Sequence, residues 1–422
     1  MSGLKFCFLT TFYPPYHFGG DAIGIQRLAH GLARAGHRVT VVHDVDAFRT
    51  LAKHDPDQSL EEPDGIDVVR LESGFGMLSP LLTQQLGRPV LNGRRIRRLL
   101  DEGEFDVVNF HNISLIGGPG LLAYGGKALR LYMAHEHWLV CPTHVLWRHG
   151  RELCTGRQCV RCSLHYRRPP QLWRMTGYLE RQLRHVDAFI AMSEFSREKH
   201  REFGFPREME VLPYFLPPAE PPEQATEDRS PHGRPYFLFV GRLEKIKGLD
   251  DVLPLFREYG GADLVIAGDG EYGDTLRQQA RDIPSVHFLG RVAPDRLAAY
   301  YRHAMALIVP SVCFETFGII LIEAFRQGTP VIARRLGPFP EIVDLAGAGE
   351  LFRTPDELLT AMHRLNDQPA LRDRYAEAGR KTFQARWSES AVIPEYLGIV
   401  RRAAQRTGRS YLAEQLQATE VA

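Results

Sequence analysis

The sequence predicts an α/β protein made of two doubly wound halves, and three observations carry that expectation. Strand-like apolar runs alternate with stretches of helical periodicity, the signature of parallel βα units. The series of strands stops and starts again in the second half. Between the two series lies Leu216-Pro-Pro-Ala-Glu-Pro-Pro-Glu-Gln-Ala-Thr-Glu-Asp-Arg-Ser-Pro-His-Gly, Pro-rich and polar, which reads as a linker.

In the first half the strand runs are Lys5–Thr10, Arg38–His43, Asp67–Leu71, Asp106–Phe110, Leu129–Ala134 and Ala188–Met192. Pro14-Pro15-Tyr-His-Phe-Gly19-Gly20 follows the first of them, and an amphipathic stretch from Ile23 to Ala35 ends at the natural stop Gly36. The second series is Tyr236–Val240, Asp263–Ala267, Val286–Leu289, Ala306–Val309 and Pro330–Ala333. The expected domains are therefore 1–215, a linker 216–233, a second Rossmann-like domain 234–387, and a helical tail 388–422 that packs back toward the first. Two such domains facing across a cleft would place a ligand between them, outside the carboxyl ends of the strands.

Composition narrows the class. With 422 residues, 44% hydrophobic and 24% charged, the chain is ordinary for a globular protein of two or three domains. A formal net charge of +1 gives no global argument for nucleic-acid binding. No stretch approaches the roughly 20 apolar residues of a membrane span. The first residues run straight into a strand pattern, with no long apolar signal segment. Cytoplasmic residence is the expectation, with disulfides disfavoured.

Two motifs in the second half carry chemistry. Val240-Gly-Arg242-Leu-Glu-Lys-Ile-Lys247-Gly248 sets two cations beside a glycine at a strand end. Arg can fork two bonds onto phosphate oxygens and Lys supplies a mobile charge, so the pair could offset a diphosphate without a metal. A solvated basic loop is the plain alternative. Glu315-Thr-Phe-Gly-Ile-Ile-Leu-Ile-Glu323 places two carboxylates with seven residues between them at the start of an apolar helix. Thr316-Phe317-Gly318 would form the first turn, offering unpaired amides to an anion, with Glu323 about two turns inside. A buried carboxylate must be bonded, and paired ribose hydroxyls or a structural Arg326 or Arg334 would serve. Ala267-Gly268-Asp269-Gly270-Glu271 closes a strand as a turn at the rim, and Gly290-Arg291 ends the next.

Together these motifs resemble the retaining glycosyltransferases of group one, the GT-B family with glycogen-synthase-like and mannosyltransferase members. The resemblance spans nearly the whole chain and is strongest from Tyr236 to Asp344. It implies that Arg242 and Lys247 hold the donor diphosphate, that Glu315 lies by the donor sugar, and that Glu323 binds the ribose. It also implies backbone contacts with the donor at Phe317 and Gly318, and a glycine-rich donor loop at Gly19-Gly20. Leu131-Tyr-Met-Ala-His135-Glu136-His137-Trp138 resembles the family's His-Asp-x-Trp strand end, with Glu in place of Asp, which carries His135 into the active site. Ser193-Glu-Phe-Ser196 matches a short Ser-containing turn, whereas Leu212-Pro-Tyr214-Phe215 departs from the family's Pro-Asn-Gly junction. His111, at another strand end, is a weaker candidate.

Cys141, Cys154, Cys159 and Cys162, spaced C-x12-C-x4-C-x2-C, could form a structural zinc site, an iron–sulfur site, or a loop of unmetallated thiols. The Arg-rich segment His165 to Arg184, interleaved with Leu172, Trp173 and Met175, fits either a helix packed on the first domain or a surface resting on anionic lipid at the inner membrane face. The expected activity is transfer of a hexose from a nucleoside-diphosphate sugar to a hydroxyl of a glycan or lipid-linked acceptor, with retention and without a catalytic metal. A sugar-nucleotide epimerase of the same fold and a non-catalytic sugar-nucleotide-binding protein are the alternatives, with a phosphorylase a weaker one.

Overall fold

A computed structural model describes residues 3–56, 60–218 and 229–421. The chain divides into two compact units, Met1–Pro217 together with Val392–Ala422, and Pro218–Ala391. Of the expected linker 216–233, residues 219–228 lie outside those described.

The first unit is built on β1 (Lys5–Leu9), β2 (Arg38–Asp44), β3 (Ile66–Leu71), β4 (Val107–Phe110) and β5 (Leu129–Ala134). A separate antiparallel hairpin, β6 (Trp147–Arg148) with β7 (Glu152–Leu153), precedes β8 (Ala188–Ala191) and β9 (Met209–Val211). The sheet runs β3-β2-β1-β4-β5-β8-β9, parallel throughout. Every residue of β4 and β8 is buried, as strands covered on both faces require, which is why they read as apolar runs, broken in β4 only by Asn109. The chain order reverses between β1 and β4, so a crevice is expected at their carboxyl ends.

The first helix, Gly20–Arg34, starts three residues before the amphipathic stretch suggested. It turns Ala22, Ile25, Leu28, Ala29 and Leu32 onto the sheet and stops before Gly36, as expected. In the Arg-rich segment, Trp173, Leu179 and Leu183 join the core while Leu172 and Met175 stay 64% and 68% exposed. A fully packed apolar face therefore describes only part of that segment. The tail forms helices Glu389–Arg406 and Ser410–Val421. Tyr396 is fully buried and accepts a hydrogen bond from Asn109 Nδ2 at 3.1 Å, while Arg402 and Arg406 pair with Glu210.

The second unit holds β10 (Tyr236–Val240), β11 (Asp263–Ala267), β12 (Val286–Gly290), β13 (Ala306–Val309), β14 (Val331–Arg334) and β15 (Gly349–Phe352). Their order is β12-β11-β10-β13-β14-β15, again all parallel, with the reversal between β10 and β13. Phe237, Leu264, Ile266, Ile308 and Ile332 fill the core beneath. Among the described residues, no helix is long and apolar enough to cross a membrane.

Six histidines of the first unit, His37, His43, His111, His135, His137 and His200, are buried, and desolvation holds each below its ordinary pKa. His43 falls to about 3 and His200 to about 4. The unfolded chain takes up these protons at about pH 6.5 and below while the folded unit does not. Their contribution to stability is thus whole above that pH and declines as the pH falls toward about 4. Asp44, pushed up to about 7 by burial, acts in the opposite sense but is one group against six. The melting temperature of the first unit should therefore fall between pH 7 and pH 4.5, less steeply in His200→Phe, as calorimetry would read; a flat or rising profile would exclude this. Tyr396→Ala should cost about 3–5 kcal/mol in denaturant unfolding of the same unit, and Tyr396→Phe about 1 kcal/mol through the lost partner of Asn109.

Candidate active site

In the second unit the two sequence motifs meet at the switch point. Gly241 follows β10 and Pro310 follows β13, and these strands pair side by side in parallel. Gly248 allows the approach: its φ of +76° is left-handed, and a Cβ there would lie 2.1 Å from the Pro310 carbonyl oxygen. Val312 N also donates to Ile246 O at 2.9 Å, binding the two loops together.

The result is an ion pair. Lys247 Nζ lies 2.6 Å from Glu315 Oε1, and Ser311 Oγ donates to the same oxygen at 3.2 Å. The side chains of Lys247 and Glu315 are only 20% and 25% exposed. Burial opposes charge on each, yet the partner's charge outweighs it, so the ammonium is held above its ordinary pKa and the carboxyl below. Both are ionised at neutral pH. Arg242 is more exposed and pairs with Glu244 at 2.6 Å. The Gly268–Glu271 turn accounts for itself: Asp269 O accepts from Leu243 N at 3.0 Å and Asp269 Oδ1 from Gly270 N at 2.9 Å.

The Glu323 helix differs from expectation. It spans Ile319–Gln327, so Thr316-Phe317-Gly318 precede it rather than form its first turn. Gly318, at φ +122°, is the residue that turns the chain into the helix, and a Cβ there would come 2.9 Å from the Phe339 ring. Glu323 is the fifth helical residue, little more than one turn in, and half-buried. Its carboxylate accepts from Tyr301 Oη at 3.0 Å. Arg334, one of the two arginines considered for it, instead reaches Asp251 at 2.5 Å and the Pro310 carbonyl at 2.9 Å. Phe317 has its side chain in the interior.

In the first unit, Gly19, Gly20 and His135 also stand at carboxyl ends of strands or at a helix start. Gly19 precedes the helix Gly20–Arg34 in extended backbone, with no side-chain cap. A Cβ on Gly19 would meet nothing nearer than the Asp21 carboxylate at 3.5 Å, so folding alone does not call for glycine there. His111 and His135 end the adjacent strands β4 and β5. They join Tyr214 in a buried chain: His111 Nδ1 is 2.9 Å from His135 Nε2, and His135 Nδ1 is 2.5 Å from Tyr214 Oη. Burial depresses His135 to about 4, and the nearby Asp21 carboxylate only partly offsets this. His135 is therefore neutral, 6% exposed, and engaged at both ring nitrogens. The first helix closes over it, with Gly24 so near the Tyr214 ring that a Cβ would lie 2.3 Å away.

Sequence reasoning missed this role of Tyr214, which appeared only as a departure from a family motif, and gave His111 little weight. Glu136, the other departure, pairs with His144 Nδ1 at 2.7 Å and so ties the strand end to the cysteine loop. Ser193 caps the helix Glu194–Glu202 by accepting from Ser196 N at 3.0 Å.

The four cysteines are reduced and share one region of the first unit. Cys141 Sγ contacts Thr143 Oγ1 at 3.3 Å, Cys154 Sγ donates to Gly156 O at 3.4 Å, and Cys162 Sγ accepts from His149 N at 3.5 Å. Burial raises the thiol pKa of Cys154 and Cys159, which favours the protonated forms. Among the described residues, the only three metal-ligand atoms gathered within 4.8 Å of one another belong to His232, Asp263 and His287, not to this loop. Cys159 instead lines a cavity of about 690 Å³ with Leu139, Val140, Pro142 and Met175.

Comparison with known proteins gives this geometry a context. Residues 222–382 match the family Glycosyl transferases group 1, and residues 18–220 match Glycosyltransferase Family 4. Glycogen synthase of Mycobacterium tuberculosis is 26% identical over 415 residues, covering 93% of this chain and 94% of that protein. Phosphatidyl-myo-inositol mannosyltransferase of Mycobacterium leprae is 33% identical over 175 residues, 40% of this chain and 46% of that protein. Among solved structures, sucrose-phosphate synthase from Thermosynechococcus elongatus superimposes with a TM-score of 0.72 at 19% identity, over 94% of this chain and 98% of that one. Anabaena Alr3699/HepE in complex with UDP and glucose gives a TM-score of 0.63 at 17% identity, over 94% and 99%. The two matched families account for nearly all of residues 18–382, and both units have the strand order that the shared fold requires. The chain has the GT-B fold and is a glycosyltransferase, its second unit matching group 1 and its first unit Family 4.

Proposed function

We propose that the protein transfers a hexose from a nucleoside-diphosphate sugar to a hydroxyl of a glycan or lipid-linked acceptor, with retention of anomeric configuration and without a catalytic metal. The observation that carries this reading is the Lys247–Glu315 pair at the carboxyl ends of β10 and β13. An ammonium has three donors, so the bond to Glu315 leaves two for diphosphate oxygens. Arg242 can exchange its exposed contact with Glu244 for a second phosphate contact. Glu323, already accepting from Tyr301, is suited to paired ribose hydroxyls. The backbone at Phe317 and Gly318 would serve the donor phosphate or sugar beside the helix start.

The same pair bears on stereochemistry. Glu315 is neutralised by Lys247 and bonded by Ser311, which makes it a poor nucleophile for a covalent glycosyl intermediate. In the proposed step the glycosidic C–O bond to the diphosphate breaks, and the acceptor oxygen bonds to the anomeric carbon on the same face. The departing phosphate oxygen takes the acceptor proton. Lys247 and Arg242 stabilise the charge that develops there. In the first unit, Gly19 and Gly20 would approach the donor and His135 the sugar, with Tyr214 and His111 positioning the imidazole. For His135 to meet a hydroxyl directly, it must exchange one of these two bonds.

The solved relative whose bound groups are UDP and glucose supports a nucleoside-diphosphate hexose as donor. The exposed Leu172 and Met175, beside exposed Arg167 and Arg168, support a lipid-linked acceptor reached through peripheral membrane contact.

Lys247→Ala should lower kcat/KM for transfer about 10²–10³-fold, measured with a panel of uridine and guanosine diphosphate hexoses. Unchanged rates would overturn the donor assignment, and an inverted product anomer by NMR would overturn retention. Conversion of the donor to its epimer without any acceptor would favour the epimerase reading. Tyr214→Phe should lower kcat with little change in donor KM, whereas loss of donor binding would argue for a merely structural role.

A further inference from the structure

His232, Asp263 and His287 converge at a place that the transfer reaction does not use. Asp263 opens β11, and His287 is the second residue of the neighbouring β12, so both stand at the amino-terminal edge of the second sheet. Arg242, Lys247 and Glu315 lie past the opposite, carboxyl ends of its strands. His232 comes from the segment that leads into β10, where Ser230 Oγ donates to His232 O at 2.8 Å and shapes the turn.

The convergence is unusual in its aim. His232 Nε2 lies 2.8 Å from Asp263 Oδ2, and His287 Nε2 lies 3.1 Å from the same oxygen. All three ligand atoms fall within 4.8 Å of one another, and the imidazole centroids are 4.8 Å apart. Two imidazoles serving only as hydrogen-bond donors to a buried carboxylate would gain by using both of its oxygens. Here they share one, while Oδ1 has no aligned hydrogen bond and only the exposed Arg234 guanidinium at 3.1 Å.

We propose that His232, Asp263 and His287 form a binding site for one divalent transition-metal ion of the zinc class. Two imidazole nitrogens and a carboxylate are a borderline-soft set that suits such an ion and does not suit magnesium or calcium. Tetrahedral zinc with bonds near 2.0–2.1 Å sets its ligand atoms about 3.3 Å apart, so the two nitrogen–oxygen separations need to open by only a few tenths of an ångström, and the two nitrogens, within 4.8 Å of each other, would settle at about the same spacing. Each neutral imidazole would carry its proton on Nδ1 and give Nε2 to the metal. Water would complete the fourth position. Arg234 would hold Oδ1 and orient the carboxylate from outside. Asp263 is 3% exposed, His232 19% and His287 39%, so the ion has an entry path on the histidine side. Its effect would be to clasp the chain entering the second unit to the edge of the sheet.

The test is a cobalt titration of the full-length protein after chelation. The expected result is one ion bound with the d–d absorption of a nitrogen–oxygen set, displaced by zinc, with zinc also raising the melting temperature. His287→Gln can still donate to Asp263 but ligates poorly, so it should keep a native circular dichroism spectrum and bind cobalt at least ten-fold more weakly. The wild-type minus His287→Gln difference spectrum cancels any metal held by the cysteine loop. Cobalt affinity unchanged in both His287→Gln and His232→Gln, or no nitrogen–oxygen band at micromolar cobalt, would overturn the proposal.

Discussion

The ammonium of Lys247 against the carboxylate of Glu315 is the charged contact that joins the loops after β10 and β13, and the proposed donor site rests on it. Neither charge would be tolerable alone in that setting, because removing a charge from water costs more than any single hydrogen bond returns. The fold makes the pair available by ending two adjacent parallel strands side by side and letting a glycine press against the Pro310 carbonyl. An ammonium paired in this way still has donors beyond the one spent on Glu315, and the proposed diphosphate contacts would use them.

The first unit solves a different problem. It buries imidazoles at the ends of β4 and β5 and keeps them uncharged, so that His135 is fixed by neighbours on both sides instead of by solvent. Asp21, near the start of the first helix, is close enough to be felt electrostatically, which joins the glycine loop and the imidazole in one neighbourhood. In the proposed reaction a neutral ring of this kind would orient hydroxyls, not supply a positive charge.

Much of this was legible in the sequence, for identifiable reasons. Strands such as Ala188–Ala191 and Ala306–Val309 are buried on both faces and write themselves as apolar runs. Strands β9 and β15 escaped notice because they lie at sheet edges, are short, and carry polar residues such as Glu210 and Glu350. The helix begins at Ile319 with its apolar run, and not at the Thr316-Phe317-Gly318 turn expected of it, because the backbone conformation of Gly318, invisible in a string of letters, sets the start. Lys247 and Glu315 each stood out by motif, but their contact spans 68 positions and no local pattern announces it. Tyr214 and the His232–Asp263–His287 cluster were silent for the same reason: tertiary folding alone brings them together.

The helices after Val392 belong to the same compact unit as β1, although the whole of the second unit is threaded between them. Synthesis therefore delivers the pieces out of step. The later unit is contiguous and can finish while the chain is still growing, whereas the earlier one waits for the residues from Val392 onward. Until Tyr396 arrives, Asn109 and the core around it have no cover, which makes the nascent amino-terminal half the part most in need of a chaperone.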